Sequence, residues 1–166
     1  GRSRGSRAGR ALGVGGRRRR VGLRARPAKN RPLRVARSPG SGGGAERVIL
    51  DPNTLGDGKG RTTSDFFKAS YDGHYVAISL SQNGSEEGTG YVYDATNGQR
   101  LLDLIPGVGY PTAGGSFEWT ADDRGFYYTR YPQGDDRPVA DRHFYQPVSF
   151  HELGTSASSD RYVFGK

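Results

Sequence analysis

Cysteine and methionine are both absent from the 166 residues. Without cysteine there is no disulfide, no thiolate metal ligand and no cysteine nucleophile, and the redox compartment leaves no mark. No apolar run approaches the ~18 residues a spanning helix needs, so no membrane partner is expected. Nor does any segment carry a helical stripe, because proline and glycine recur too often to leave one. Acids are missing from residues 1–45, which hold 14 of the 25 Lys and Arg residues. The rest of the chain has 11 basic against 17 acidic residues. The formal charge of +8 therefore belongs to the first segment, and the body is mildly acidic. The high pI gives no reason to assign the body a nucleic-acid or membrane partner.

Residues 1–45 are low in complexity, with Arg, Gly, Ala, Ser and Pro dominating and the run Arg17-Arg18-Arg19-Arg20 near the middle. Such a segment repels itself and has too little apolar surface to offset its ordering entropy, so disorder is expected. Four readings remain open for it: a solvated tail or non-native upstream sequence, an Arg-rich targeting peptide, a nonspecific contact with nucleic-acid phosphates, or a linker. Arg24 and Arg26 interrupt every candidate apolar core, which argues against a secretory or twin-arginine signal.

The body is organised by a repeat. Phe67-Lys68-Ala69-Ser70-Tyr71-Asp72-Gly73-His74-Tyr75-Val76-Ala77 has an echo in Phe117-Glu118-Trp119-Thr120-Ala121-Asp122-Asp123-Arg124-Gly125-Phe126-Tyr127-Tyr128, with Asp72 and Asp122 50 positions apart. Each copy is an aromatic-led strand, a turn, and a second strand rich in aromatic and β-branched residues. Asp bonds its own backbone across a tight turn, and Gly accepts the positive φ that a Cβ penalises. A period of this size built from short strands marks a β-propeller blade.

The strand pattern predicts an all-β domain over 46–166. After the strand Glu46–Leu50, four strands are predicted at Ser64–Ala69, Tyr75–Ser81, Thr89–Asp94 and Arg100–Leu104. A crossing loop follows at Ile105–Gly115. The second set is Ser116–Thr120, Phe126–Arg130, Phe144–Leu153 and Asp160–Phe164, with a long insertion at Tyr131–His143. Each set reads as one four-stranded antiparallel blade. Val76, Ile78 and Leu80 face one way, and Tyr75, Ala77 and Ser79 the other.

At this level the residues resemble a known family. The Asp-Gly turn before Tyr75-Val76-Ala77, then Ser81-Gln82-Asn83-Gly84-Ser85-Glu86, is similar to the first propeller blades of the prolyl oligopeptidases, a family of serine peptidases. So are Trp119-Thr120 with its Asp-rich turn, Gly125-Phe126-Tyr127-Tyr128-Thr129-Arg130-Tyr131-Pro132, and Phe150-His151-Glu152-Leu153-Gly154-Thr155. The resemblance covers roughly Glu46 to Lys166. Glu87-Gly88-Thr89-Gly90 departs from it, because a bulkier start to that strand is usual. The resemblance implies a seven-bladed propeller capping a C-terminal α/β-hydrolase domain in the same chain. It also implies small peptides as substrates and cleavage after proline by a Ser/Asp/His triad in the hydrolase part. No Gly-x-Ser-x-Gly elbow occurs in this sequence, and Gly115-Ser116-Phe117-Glu118 lacks the second glycine. No catalytic residue is carried over. The chain, which begins at Gly1 and stops after a strand-like run, reads as a fragment at both ends. It is expected to gate substrate access without cutting anything itself, and to self-associate through unpaired edges. A noncatalytic propeller interaction module is the alternative, and a nucleic-acid-associated protein acting through residues 1–45 is the third class. A cytoplasmic location is expected.

Other residues fit bland roles better than chemical ones. No cofactor or metal site is expected: His74 is on a turn, and Pro147 breaks the spacing between His143 and His151. A local triad would need Ser85, Asp94 and His74 together, and nothing positions them. Trp119, Phe117, Phe126, Tyr127 and Tyr128 read as packing between blades rather than a stacking platform for bases. Asp122-Asp123 and Asp135-Asp136 read as solvated turn and loop acids, the latter on a loop that can rim a channel. The Gly-rich loop Thr54–Arg61 has Leu55 and Thr62 where a calcium loop needs oxygen ligands, and Gly60 where a phosphate loop needs Ser or Thr after Lys59.

Overall fold

The structure, a computed structural model, describes residues 21–24, 33–37, 46–55, 61–109, 114–142 and 144–165, with the backbone course alone up to residue 47. The described residues form three antiparallel sheets. Strands β1 (Val21–Arg24), β2 (Leu33–Arg37) and β3 (Glu46–Leu50) form the first, in chain order. Strands β4 (Thr62–Ala69), β5 (Tyr75–Gln82), β6 (Glu87–Asp94) and β7 (Arg100–Gly109) form the second, again in chain order. Strands β8 (Phe117–Trp119), β9 (Gly125–Thr129), β10 (Val148–Glu152) and β11 (Arg161–Phe164) form the third. The two blades foreseen from the repeat are the second and third sheets.

The first sheet was not foreseen. Strands β1 and β2 fall within residues 1–45, and there Leu33-Arg34-Val35-Ala36-Arg37 pairs antiparallel with both β1 and β3. Backbone pairing needs no apolar majority, only extended chains in register. The other parts of that segment, with the four-arginine run, lie outside the described residues.

Strand β5 is central. Its interior is buried on both faces, so its alternation separates two cores rather than core from solvent. Val76, Ile78 and Leu80 join Tyr93, Ala95 and the end of β3, Ile49 and Leu50. Ala77 faces the third sheet with Val92, Ile105, Val108, Phe117, Trp119, Phe126 and Tyr128. Two boundaries run past the sequence reading. Strand β7 continues through Pro106 to Gly109, because Pro106 stands opposite Thr89 at a register shift, where the missing N–H costs little. Strand β6 starts at Glu87 and pairs along its length with β5, glycines included.

Those glycines have a packing reason. A Cβ on Gly90 would lie 2.9 Å from Phe117 Cζ and 3.2 Å from Ile105 Cβ, so the absent side chain makes room for the ring of the next blade. Gly90→Val is expected to overpack this point and cost about 1–3 kcal/mol. A urea midpoint equal to that of the unsubstituted chain would contradict it.

Candidate functional site

The seam between the two blades is where the chain concentrates its specific contacts. Equivalent positions of the repeat face each other across it. Lys68 Nζ meets Glu118 Oε2 at 2.7 Å, 50 residues on. Trp119 Nε1–H donates to Lys68 O at 3.0 Å. Both partners of the Lys68–Glu118 pair are about half exposed, so the pair contributes at most about 1 kcal/mol. The aromatic side chains do the packing. Phe66 lies against Phe117 at 4.9 Å between ring centres, and Tyr75 stacks on Trp119 at 6.2 Å. Phe126 sits edge-on to both Phe117 and Trp119. Tyr127 departs from the predicted set: it points to the other face of the third sheet and meets Phe150. A stacking platform for bases is not formed by Trp119, Phe117, Phe126 and Tyr128, which are all buried.

The two repeat turns differ, and the difference is used. Gly73 takes a φ of 71° in the first. Asp123 occupies the matching place in the second at a φ of 57°. A non-glycine residue there costs about 1–2 kcal/mol. The Asp123 carboxylate compensates by accepting the N–H groups of Tyr71 at 2.7 Å and Asp72 at 2.8 Å. Asp123 is therefore a buried clamp on the neighbouring turn, not the solvated acid predicted; Asp122 is exposed. Asp72 accepts from the His74 N–H and Ser70 Oγ–H within its own turn.

A second tie lies toward the outer strands. His151 is fully buried between Asp103 of β7 and Asp160 before β11. Its Nε2 stands 2.9 Å from Asp103 Oδ1, and its Nδ1 stands 2.7 Å from Asp160 Oδ1. The Gly154 N–H also donates to Asp103 Oδ1, at 2.6 Å, and Tyr128 O–H donates to Asp160 Oδ2 at 2.7 Å. Asp103 Oδ2 is buried without a hydrogen-bond partner. Burial acts to raise the Asp103 carboxyl, but the bonds from His151 and Gly154 outweigh it and hold the group below the usual carboxylate range. Its contribution to stability is thus present above pH 3.8 and lost as pH falls through the lowered value. Burial raises the Tyr128 phenol, and the adjacent Asp160 raises it further.

Sequence reading placed Asp103 inside a strand and gave His151 an ordinary polar or packing role. One signal did exist: Asp103 is the single charge among Leu101, Leu102, Leu104 and Ile105. An acid on the inward phase of such a strand needs a buried partner.

The remaining candidates fall apart spatially. His74 and Asp94 lie at the turn end of the first blade, where Asp94 caps Thr96 and His74 Nδ1 meets Asp72 at 3.1 Å. Ser85 lies beyond the opposite end of β5 and accepts from the Glu87 N–H. They form no triad. His143 lies outside the described residues, and so does most of the Gly-rich loop. Its near side is a single 3-10 turn, Pro52–Thr54, capped by Asp51. Among the described residues no three His, Asp or Glu side chains are placed to hold a metal ion. In the insertion both Asp135 and Asp136 are exposed, and Asp136 is also tied to Arg130 at 3.2 Å and accepts from the Gln133 N–H at 3.0 Å.

Known proteins resemble this chain in sequence and in fold. The family model described as the prolyl oligopeptidase N-terminal beta-propeller domain matches residues 23–166, starting upstream of Glu46. Prolyl oligopeptidase A of Galerina marginata is 31% identical over 147 residues, covering 78% of this chain and 19% of that protein. Prolyl oligopeptidase A of Amanita bisporigera is 30% identical over 132 residues, covering 68% of this chain and 16% of its own length. A solved prolyl endopeptidase structure superposes with a TM-score of 0.72 at 29% identity, over 91% of this chain and 22% of that one. Prolyl oligopeptidase B of Galerina marginata, bound to a hydrolysis and macrocyclization substrate, shares the fold at a TM-score of 0.63 and 24% identity, over 83% of this chain and 21% of its own. The chain spans about a fifth of the length of the relatives it matches. Its repeat, its sheets and a family match over most of its length agree: the chain belongs to the prolyl oligopeptidase family, as part of the N-terminal β-propeller domain.

Proposed function

We propose that the chain supplies the first blades of the propeller of a serine peptidase that cleaves short peptides after proline. Its part is gating: it forms a section of the wall that keeps large substrates from a hydrolase domain. A cytoplasmic location belongs to the same proposal. The observation that carries it is the pair of blades locked face to face, in a chain of this family whose sequence holds no nucleophile elbow. Blades of this kind shape an opening and leave the bond chemistry to another domain. The exposed Asp135, on the insertion at one end of the blades, would meet charged peptides on their way in.

The test is a chimaera in which residues 46–164 replace the matching segment of Galerina marginata prolyl oligopeptidase A. It is expected to cleave a short proline-containing peptide and to spare a long unfolded polypeptide. Asp135→Lys in that chimaera should shift its preference among charged peptides. Equal cleavage of long and short substrates by a folded chimaera would count against gating. The chain alone, assayed on the same short peptide, should give no hydrolysis.

A further inference from the structure

We propose that His151 is a proton-operated latch on the blade seam, holding the Asp103–Gly154 contact more tightly while both of its ring nitrogens carry hydrogen. The geometry favours this. Both ring nitrogens stand within hydrogen-bonding distance of a carboxylate oxygen, and an ionised carboxylate only accepts. Both carboxylates are engaged as acceptors by other donors as well: Asp103 Oδ1 accepts the Gly154 N–H, and Asp160 Oδ2 accepts the Tyr128 O–H. All three charged side chains are withdrawn from water, at 0%, 0% and 4% exposure. An imidazole lone pair facing either carboxylate in such a site repels it with little screening.

The groups that face His151 come from every element around it. Strand β7 brings Asp103, and the segment before β11 brings Asp160 and the Gly154 amide. Strand β9 brings the Phe126 ring, 5.2 Å from the imidazole, and the Tyr128 phenol on Asp160; the Arg130 charge acts on Tyr128. Two carboxylates outnumber one imidazolium, so the surroundings favour the cation. Burial opposes it, but the hydrogen bonds to Asp103 and Asp160 prevail and raise the His151 pKa above 6.5.

The sign follows from linkage. A group with a raised pKa in the closed seam stabilises it fully below pH 6.5 and loses that contribution as pH climbs through the raised value. Opening of the seam at Gly154 should thus be independent of pH below 6.5 and grow about tenfold per pH unit above it, until His151 has lost its proton in the closed state. The latch couples the blades to alkaline conditions through His151, while the Phe117–Trp119–Phe126 packing, whose Phe126 ring borders the imidazole, holds no titrating group.

The test uses the full chain. Nitrogen NMR of labelled histidine, assigned with His74→Asn and His143→Asn, reads the His151 ring directly. Hydrogen exchange at Gly154, corrected for its intrinsic pH dependence, reads the seam. Two ring N–H protons at pH 6, with Gly154 protection constant below pH 6.5 and falling from there until His151 loses one of them, support the latch. A folded His151→Asn variant should show low Gly154 protection and no pH step. A singly protonated ring at pH 6, or Gly154 protection unchanged between pH 6.5 and the pH at which His151 deprotonates, would overturn it; both readings come from the unsubstituted chain, so the idea is testable even where the variant does not fold.

Discussion

Phe126→Ala is expected to destabilise the chain by about 3–5 kcal/mol, the cost of emptying a fully buried aromatic site. Phe126 is 0% exposed and lies in contact with Phe117, Trp119, Tyr128 and His151 at once. These four sit on β8, on β10 and on its own strand β9, so the ring cannot be replaced by a shift of any one neighbour. Small domains have a margin of only about 5–15 kcal/mol, and a two-blade piece with unpaired edges stands at the low end. The expected observation is a sharp fall in urea midpoint with loss of near-ultraviolet dichroism from Trp119. Phe126→Leu, which keeps most of the volume, should recover much of it. An alanine variant within about 1 kcal/mol of the parent would mean that the seam is not the structural core described here.

Asp103→Ala should cost a similar amount for a different reason. It removes the partner of a buried imidazole and of the Gly154 N–H together, and breaking one side of a buried charge pair costs about 3–5 kcal/mol. Asp103→Asn offers a control of the same shape. Its amide oxygen can still accept from Gly154 or from His151, but the charge is gone, so the loss should be smaller and the His151 pKa should drop. Denaturant titrations at pH 6 give both numbers. If asparagine costs nothing, shape and hydrogen bonding rather than charge hold this point; if it costs as much as alanine, the charge alone holds it. Truncation of Glu118, by contrast, should hardly register, since its partner Lys68 is half in water.

The repeat was legible because turns and alternation are local. Asp72-Gly73 and the alternation of Val76, Ile78 and Leu80 against Tyr75, Ala77 and Ser79 placed a turn and a buried strand without any knowledge of neighbours. Strand ends were less legible: Pro106 looks like a stop, yet β7 runs through it, because a register shift removes the need for its N–H. The strands β1 and β2 were hidden by an arginine-rich composition that says nothing of pairing. The site was hidden by distance along the chain. Asp103 and His151 are 48 residues apart, and Asp123 reaches back 52 residues to Tyr71. Neither pairing leaves a periodic trace.

The amino-acid order alone determined that this chain makes short antiparallel strands, where it turns, and that it repeats itself every 50 residues, because each depends on a residue and its near neighbours. Only the packed blades decided which acids are solvated and which are buried. A carboxylate at Asp103 or Asp123 is defined by the donor brought to it from the other sheet, and burial in low dielectric gives that donor its weight.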